Sequence, residues 1–390
     1  MTDWRIPLSD LDYGNEEANA VQRVIASKWL SMGPEVQAFE REFAAMQGAE
    51  HALTVSNATA GLHLALLALG VGPGDEVIQP ALNFVAAANM TLAIGATPVF
   101  ADICSLDEPT IDPSEVERAI SPRTKAVVVM HYGGSLCRMA ELTELCAARG
   151  IAIVEDACHA VGVAYHDARN RWPNGIMAGS IGDISAFSFF SNKNIASGEG
   201  GMVVTNRADL AERVRLLRSH GMTTLTWDRH KGHAASYDVV NPGYNYRLDE
   251  LHAALGRVQL SKLERNNQRR RNLLASYREA VQSLGGWTMP FAETIEYSSG
   301  HLMVIVAPDP EIKQRAVDAL RQSGIQSSMH YPCIADFSGF AGATREKLEK
   351  TRQFTSSAIT LPLFPTLRPD QIDEIVAVVQ AVNSKISKVT

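Results

Sequence analysis

The stretch ALTVSNATAGLHLALLALG, residues 52–70, sets the architecture. An apolar run of strand length ends in a small polar cluster, Ser56, Asn57 and Thr59, and passes directly into an apolar segment of helical length. Parallel strands need such crossover segments, so strand followed by helix is the repeating unit of a parallel sheet. The same pattern continues outward through EVIQP (76–80) and FVAAANMTLAIG (84–95), TPVFADI (97–103), KAVVVMH (125–131) and MAELTELCAARG (139–150), then IAIVED (151–156). This alternation predicts an α/β fold with a largely parallel sheet flanked by helices. Ligands of such sheets bind beyond the carboxyl ends of the strands. Turn chemistry marks the joints: GPGDEV (72–77) precedes a strand, and Asp112 is an N-cap with Pro113 in the first helical turn.

After Arg247 the pattern changes to long helical stretches, LDELHAALGRVQLSKLE (248–264) and a basic run to about Ala280. HLMVIVAP (301–308), GIQSSMHY (324–331) and PDQIDEIVAVVQAVNSKI (369–386) then read as a smaller mixed α/β unit. A chain of 390 residues exceeds what one core usually supports. The expected division is an N-terminal segment and large domain over 1–260 and a small C-terminal α/β domain over 261–390.

The composition, 46% hydrophobic and 20% charged, is that of a globular protein with a sizeable core. With 43 acidic and 36 basic side chains the net charge is −7, and Arg269, Arg270 and Arg271 form the one dense basic run, which argues against nucleic acid as a partner. Five cysteines without a CxxC pair suit neither a disulfide framework nor a structural zinc site; reduced thiols in the cytoplasm fit them. No metal is expected. The start of the chain is acidic and lacks signal-peptide character, and no apolar run reaches bilayer length, so the expectation is a soluble cytoplasmic protein without a membrane partner.

Four pieces could carry chemistry. Asp156 ends the strand in IVEDACHA (153–160), where it either accepts a hydrogen bond from a protonated ring nitrogen or caps the next turn; His159 follows as core or site. Ser56 to Gly61 opens a helix whose N-terminus is either a phosphate site, helped by Asn57 and Thr59, or simply capped. Phe84 lies past the next strand as a ring-stacking residue or a core aromatic. In FSFFSNKNIASGEGG (187–201) a lone Lys193 follows an apolar run and precedes Gly198, Gly200 and Gly201, which lack the spacing of a dinucleotide or nucleotide phosphate loop. Jointly they describe a cofactor with a phosphate, a basic ring nitrogen and an aldehyde for a lysine: pyridoxal 5'-phosphate (PLP).

SNATAGLHLAL, EDACHAVG, FSFFSNKNIASGEGGMVVTN and GYNYRLDELHAALG, with GPEVQAFEREFA before them and HYP and LPLFP after, resemble the DegT/DnrJ/EryC1/StrS family of sugar aminotransferases. The resemblance covers nearly the whole chain in order. It implies fold type I of the PLP enzymes, a mostly parallel sheet of the seven-stranded type, and a homodimer with active sites at the subunit interface. It makes Lys193 the Schiff-base lysine and Asp156 the partner of the pyridinium nitrogen. His159 falls near the cofactor's hydroxyl side, Phe84 on the ring, and Thr59, Ala60 and Ser188 at the phosphate. Asn245 matches an asparagine sent from the partner subunit to the phosphate, with Arg247 beside it. Trp29 and Ser31 belong to a segment that closes over substrate in the family, or form an aromatic anchor packing the N-terminal segment, the reading that suits Trp29; His330 and Tyr331 are substrate neighbours or core. Ala335 stands where many relatives have a histidine.

The implied reaction moves an amino group from an amino acid, L-glutamate by resemblance, to a nucleotide-linked keto-sugar, with pyridoxamine phosphate (PMP) between the halves. Family members that act as sugar dehydratases have histidine in place of Lys193, which favours transamination. Elimination on a sugar, cyclitol or other cyclic ketone remains open, as does a non-catalytic regulator on the same scaffold; a doubly wound dehydrogenase is opposed by the missing GxGxxG. The polar stretch 223–240, with Arg229, His230, Lys231 and His233, is a loop over the site or a solvated surface.

Overall fold

A computed structural model describes residues 4–166, 171–224, 227, 236–345 and 347–384. Most of the loop over 223–240, including Arg229, His230, Lys231 and His233, lies outside the described residues.

The centre is a sheet built from β1 (His51–Val55), β2 (Glu76–Pro80), β3 (Thr97–Ala101), β4 (Thr124–Met130) and β5 (Ala152–Asp156); after a hairpin of β6 (Ala164–Tyr165) and β7 (Ile176–Met177), β8 (Ile184–Ser188) and β9 (Gly201–Thr205) complete it. The strand order is β1-β9-β8-β5-β4-β2-β3, with the two-residue β11 (Thr344–Arg345) added beside β3. Only β9 runs antiparallel to its neighbours β1 and β8; the other pairings are parallel. This is the mostly parallel seven-stranded sheet expected from the alternating runs.

The strands carry apolar residues on both faces because both faces are covered. Val77, Val128 and Val154 join one core with α3 (Ala58–Ala68), α4 (Ala86–Ala93) and α7 (Ala208–Leu217), while Ile78, Val127 and Ile153 join another with α5 (Pro113–Ala119) and α6 (Met139–Ala147). The α3 helix is apolar all round and almost wholly buried, as a helix wedged under other helices must be. Phe39 and Phe43 of α2 (Pro34–Gln47) meet Phe187 and Phe189 in a third core.

The helix α8 (Glu250–Gln282) has 33 residues, about 50 Å of rise. Its first turns pack on α1 (Asn15–Ser27) and α2, and the buried Glu250 carboxylate accepts from the backbone N–H of Gly33, Glu35 and Val36, capping α2. Further along, Leu273, Leu274, Tyr277 and Val281 enter a separate core with β10 (Met303–Val306), β12 (Ala358–Leu361), α9 (Pro310–Gln322) and α11 (Pro369–Ser384), while α10 (Glu349–Ser357) leads into β12. Ile6 joins this C-terminal core and pairs with Ile325, so the described N-terminal residues lie on the C-terminal unit. Residue 260 falls inside α8, which packs on α1 and α2 with its first turns and on the C-terminal core with its last. No helix among the described residues is long and apolar enough to cross a membrane.

Candidate active site

The carboxyl ends of β2, β4, β5 and β8 open onto a cavity of about 630 Å³ lined by, among others, Thr59, Phe84, Asp156, His159, Ser188, Lys193, His330 and Tyr331. Strand polarity explains the gathering: parallel strands end on one edge, and the residues just past each strand end are delivered there. The last strand position of β5 is Asp156, whose carboxylate is buried at the cavity wall and accepts from the backbone N–H of Cys158 at 3.2 Å. Its neighbour Glu155 points to the opposite face, where it accepts from the N–H groups of Gly179, Ile181 and Gly182 and meets His131 Nε2 at 2.9 Å. Two adjacent carboxylates thus have separate duties.

Asn57 caps α3, its side chain accepting from the Ala60 N–H at 2.8 Å. That bond takes up the Ala60 N–H, and Ala60 is buried off the cavity wall, whereas Ala58 and Thr59 line the cavity at the helix N-terminus. First-turn N–H groups lack intrahelical acceptors, which makes this end suited to an anion. Gly201, paired with Ser188, explains how the helix start comes so close: a Cβ there would stand 2.7 Å from the Asn57 carbonyl carbon and 2.8 Å from the Ala58 nitrogen.

Lys193 exposes surface only partly, and its amine is enclosed by protein; burial pushes its pKa below the usual lysine value, with Cys158 and Asp156 acting in the opposite direction. His159 contacts Tyr331, with Nε2 3.0 Å from the phenol oxygen, and the Gly133 N–H approaches His159 Nδ1 at 3.4 Å. Burial, then Lys193, His330 and His131, holds His159 well below the usual histidine range. The phenol of Tyr331 is pushed far up by burial and by the nearby Asp156. Phe84 is 53% exposed, its ring 5.8 Å from that of Tyr331, so it stands at the cavity mouth rather than in a core. His330 holds Thr360 Oγ1 at 3.0 Å.

Other expected residues stand elsewhere. Asn245 pairs with Ser219, and Arg247 Nη1 donates to Ser219 Oγ at 3.2 Å, away from the cavity wall of this chain. Trp29 packs at 4.7 Å from the Trp227 ring and Ser31 is exposed; neither lines the cavity. Ala335 is fully buried in an apolar core with Ala81, Phe100 and Phe340. Sequence patterning passed over Asn83, Asn192 and His301. The Asn83 Nδ2 is buried without a protein acceptor among the described residues, as is the Asn192 Oδ1 without a donor, and both residues line the cavity. Their signal in the sequence was only adjacency to Phe84 and Lys193.

These residues fit a PLP group. A buried amine of lowered basicity, a strand-end carboxylate, an aromatic at the mouth and a helix N-terminus with an orphaned amide donor nearby form the donor set that its aldehyde, ring nitrogen, ring face and phosphate require.

A model of the DegT/DnrJ/EryC1/StrS aminotransferase family matches residues 11–380. The chain is 38% identical over 377 residues to the spore coat polysaccharide biosynthesis protein SpsC of Bacillus subtilis (strain 168), covering 94% of each chain. Among solved structures, Spr1654 of Streptococcus pneumoniae in its PLP form superposes with a TM-score of 0.88 at 27% identity, covering 98% of this chain and 99% of the other. The PMP form of the same protein gives 0.89 at 27% identity over 98% and 100%. DesI, solved in the presence of its TDP-sugar product, gives 0.82 at 29% identity over 97% and 91%. The chain therefore belongs to the DegT/DnrJ/EryC1/StrS aminotransferase family and is a PLP-dependent aminotransferase of fold type I.

Proposed function

We propose that this protein transfers an amino group from an amino acid, L-glutamate in the first instance, to a nucleotide-linked keto-sugar, acting as a cytoplasmic homodimer. The observation that carries the reading is the enclosure of Lys193 and Asp156 in one cavity beside the α3 N-terminus. DesI, with its TDP-sugar product, and SpsC, with its polysaccharide role, support a sugar as acceptor.

PLP supplies an aldehyde for the lysine and an electron-withdrawing ring that stabilises negative charge on a substrate carbon, with PMP as the form that carries the amino group between the two halves. Asp156 would keep the ring nitrogen protonated. Phe84 would cover the ring, and Thr59, Ser188 and the helix N-terminus would hold the phosphate. With the group held there, Lys193 would take the proton from the donor's α-carbon and, in the second half, deliver one to the sugar carbon that receives the amine. A lysine can do this only as a free amine, which its enclosure favours. His159 would sit on the hydroxyl side of the ring with Tyr331 beside it, and Asn245 of a second copy of the chain would reach the phosphate, with Arg247 beside it on the substrate side.

The test is a visible spectrum of the full-length protein and of Lys193→Ala, each with PLP, before and after L-glutamate. The wild type should show the band of lysine-bound cofactor and lose it to a PMP spectrum on adding glutamate, and Lys193→Ala should lack the initial band. A wild type that binds no PLP overturns the assignment; one that binds PLP but ignores glutamate overturns the donor alone. Mass spectrometry of nucleotide-linked keto-sugars incubated with the glutamate-treated protein then tests for net gain of an amine.

A further inference from the structure

Lys193 is the first member of a directed chain of hydrogen bonds. Its Nζ lies 3.5 Å from Nε2 of His301, and His301 Nδ1 lies 3.0 Å from Oδ1 of Asn194. The Asn194 amide fixes the direction: its Nδ2 donates to Asn267 Oδ1 at 2.8 Å and to the Ser299 carbonyl at 2.9 Å, so its oxygen faces the ring. Asn267 is fixed in turn, because its Nδ2 donates to the Val161 carbonyl at 3.0 Å. An amide oxygen can only accept, so His301 carries its proton on Nδ1 and turns an unprotonated Nε2 towards the lysine.

The ring has little freedom to do otherwise. His301 donates its backbone N–H to the Gly133 carbonyl at 3.1 Å. Gly300, with φ at +63°, lies so near α8 that a Cβ would meet the Arg270 Cβ at 2.7 Å. Buried Arg270 donates to the carbonyls of Gly300 and Leu363. The ionisable groups around His301 are His159, with ring centroids 4.3 Å apart, Lys193, Arg270 and His330. Burial first, and these neighbours after it, keep the ring neutral.

We propose that His301 is a positioning residue for Lys193: its Nε2 accepts one hydrogen of the amine, so that the nitrogen presents its own lone pair to the cavity. An amine tethered by one N–H points its lone pair away from the acceptor, and that lone pair is what must attack an aldehyde or take a carbon-bound proton. This rests on the assignment of Lys193 as the cofactor lysine.

The first test is nitrogen NMR of full-length protein labelled with ¹⁵N-histidine, with the His301 signal assigned by its loss in His301→Gln. A neutral ring protonated at Nδ1 is expected; an imidazolium, or a proton on Nε2, overturns the proposal. The second is the rate at which cofactor-free full-length protein develops the visible band of lysine-bound PLP. His301→Phe should slow it roughly tenfold, the scale of one lost hydrogen bond, and His301→Gln, which keeps an acceptor near the Nε2 position, should restore most of the rate. Equal rates in wild type and His301→Phe overturn the proposal, as does equal slowing by Phe and Gln, which packing alone would explain. A wild type that forms no band overturns the lysine assignment itself, which separates the two failures. If His301→Phe does not fold, the ring protonation of the unmutated protein still decides.

Discussion

Asp156 and Glu155 show how far one position in a strand changes a carboxylate's work. The two face opposite sides of β5, and the one at the cavity remains available to a ligand while the other satisfies three backbone donors. Gly201 matters as much as either, through the atom it lacks. Gly201→Ala would drive a Cβ into the backbone of Asn57 and Ala58, where no side chain can rotate aside. The expected cost is about 1–3 kcal/mol in urea unfolding, with faster loss of bound PLP because the α3 N-terminus must move. Unchanged stability and unchanged PLP retention would show that the helix start shifts freely.

At the scale of elements, histidines from three different segments gather here: His159 after β5 and His330, bonded to Thr360 of β12, line the cavity, and His301, before β10, stands behind Lys193. Burial, as the leading cause, lowers all three pKa values, that of His330 to about 4. Below the ordinary histidine value of about 6.5 the unfolded chain therefore binds more protons than the folded one, and stability falls as pH is lowered, by about 1.4 kcal/mol for each unit of downward shift that is traversed. The melting temperature of cofactor-free protein should drop between pH 6.5 and 5, before most carboxylates titrate, and His330→Gln should flatten part of that slope. A melting temperature constant over this window, or a slope unchanged by His330→Gln, would mean that these rings are hydrated in solution.

Across the whole molecule, the cavity lies between the sheet, which supplies Asp156 at the end of β5 and Lys193 on the loop after β8, and the segment bearing His330 and Tyr331, tied to β12 of the C-terminal unit through Thr360. Asn245 and Arg247 lie off this wall, and the proposed second copy would bring them to the site. Two inactive variants should then complement. Mixing Lys193→Ala and Asn245→Ala chains under conditions that exchange subunits should restore activity, because the lysine of one chain would meet the asparagine of the other. Subunit exchange without recovery would mean that each site is built from a single chain.

Short-range chemistry was legible in the order of residues. Alternating apolar runs announce a sheet covered on both faces, and the N-caps at Asn57 and Asp112 form as their spacing indicates. Lys193 and Asp156 could be read because each stands at the end of an apolar run, where strand polarity alone carries it to the ligand edge. His301, Asn194 and Asn267 could not, since they are brought together across 73 and 107 positions of chain. The packing of α8 on two cores sets their meeting, and hydrogen-bond pairing leaves no periodic trace. The same reason leaves Ser31 outside the cavity, lets Trp29 serve as a packing anchor and puts Ala335 inside a core: periodicity reports which face of an element is buried, whereas the identity of what covers that face is decided by the packing of distant elements.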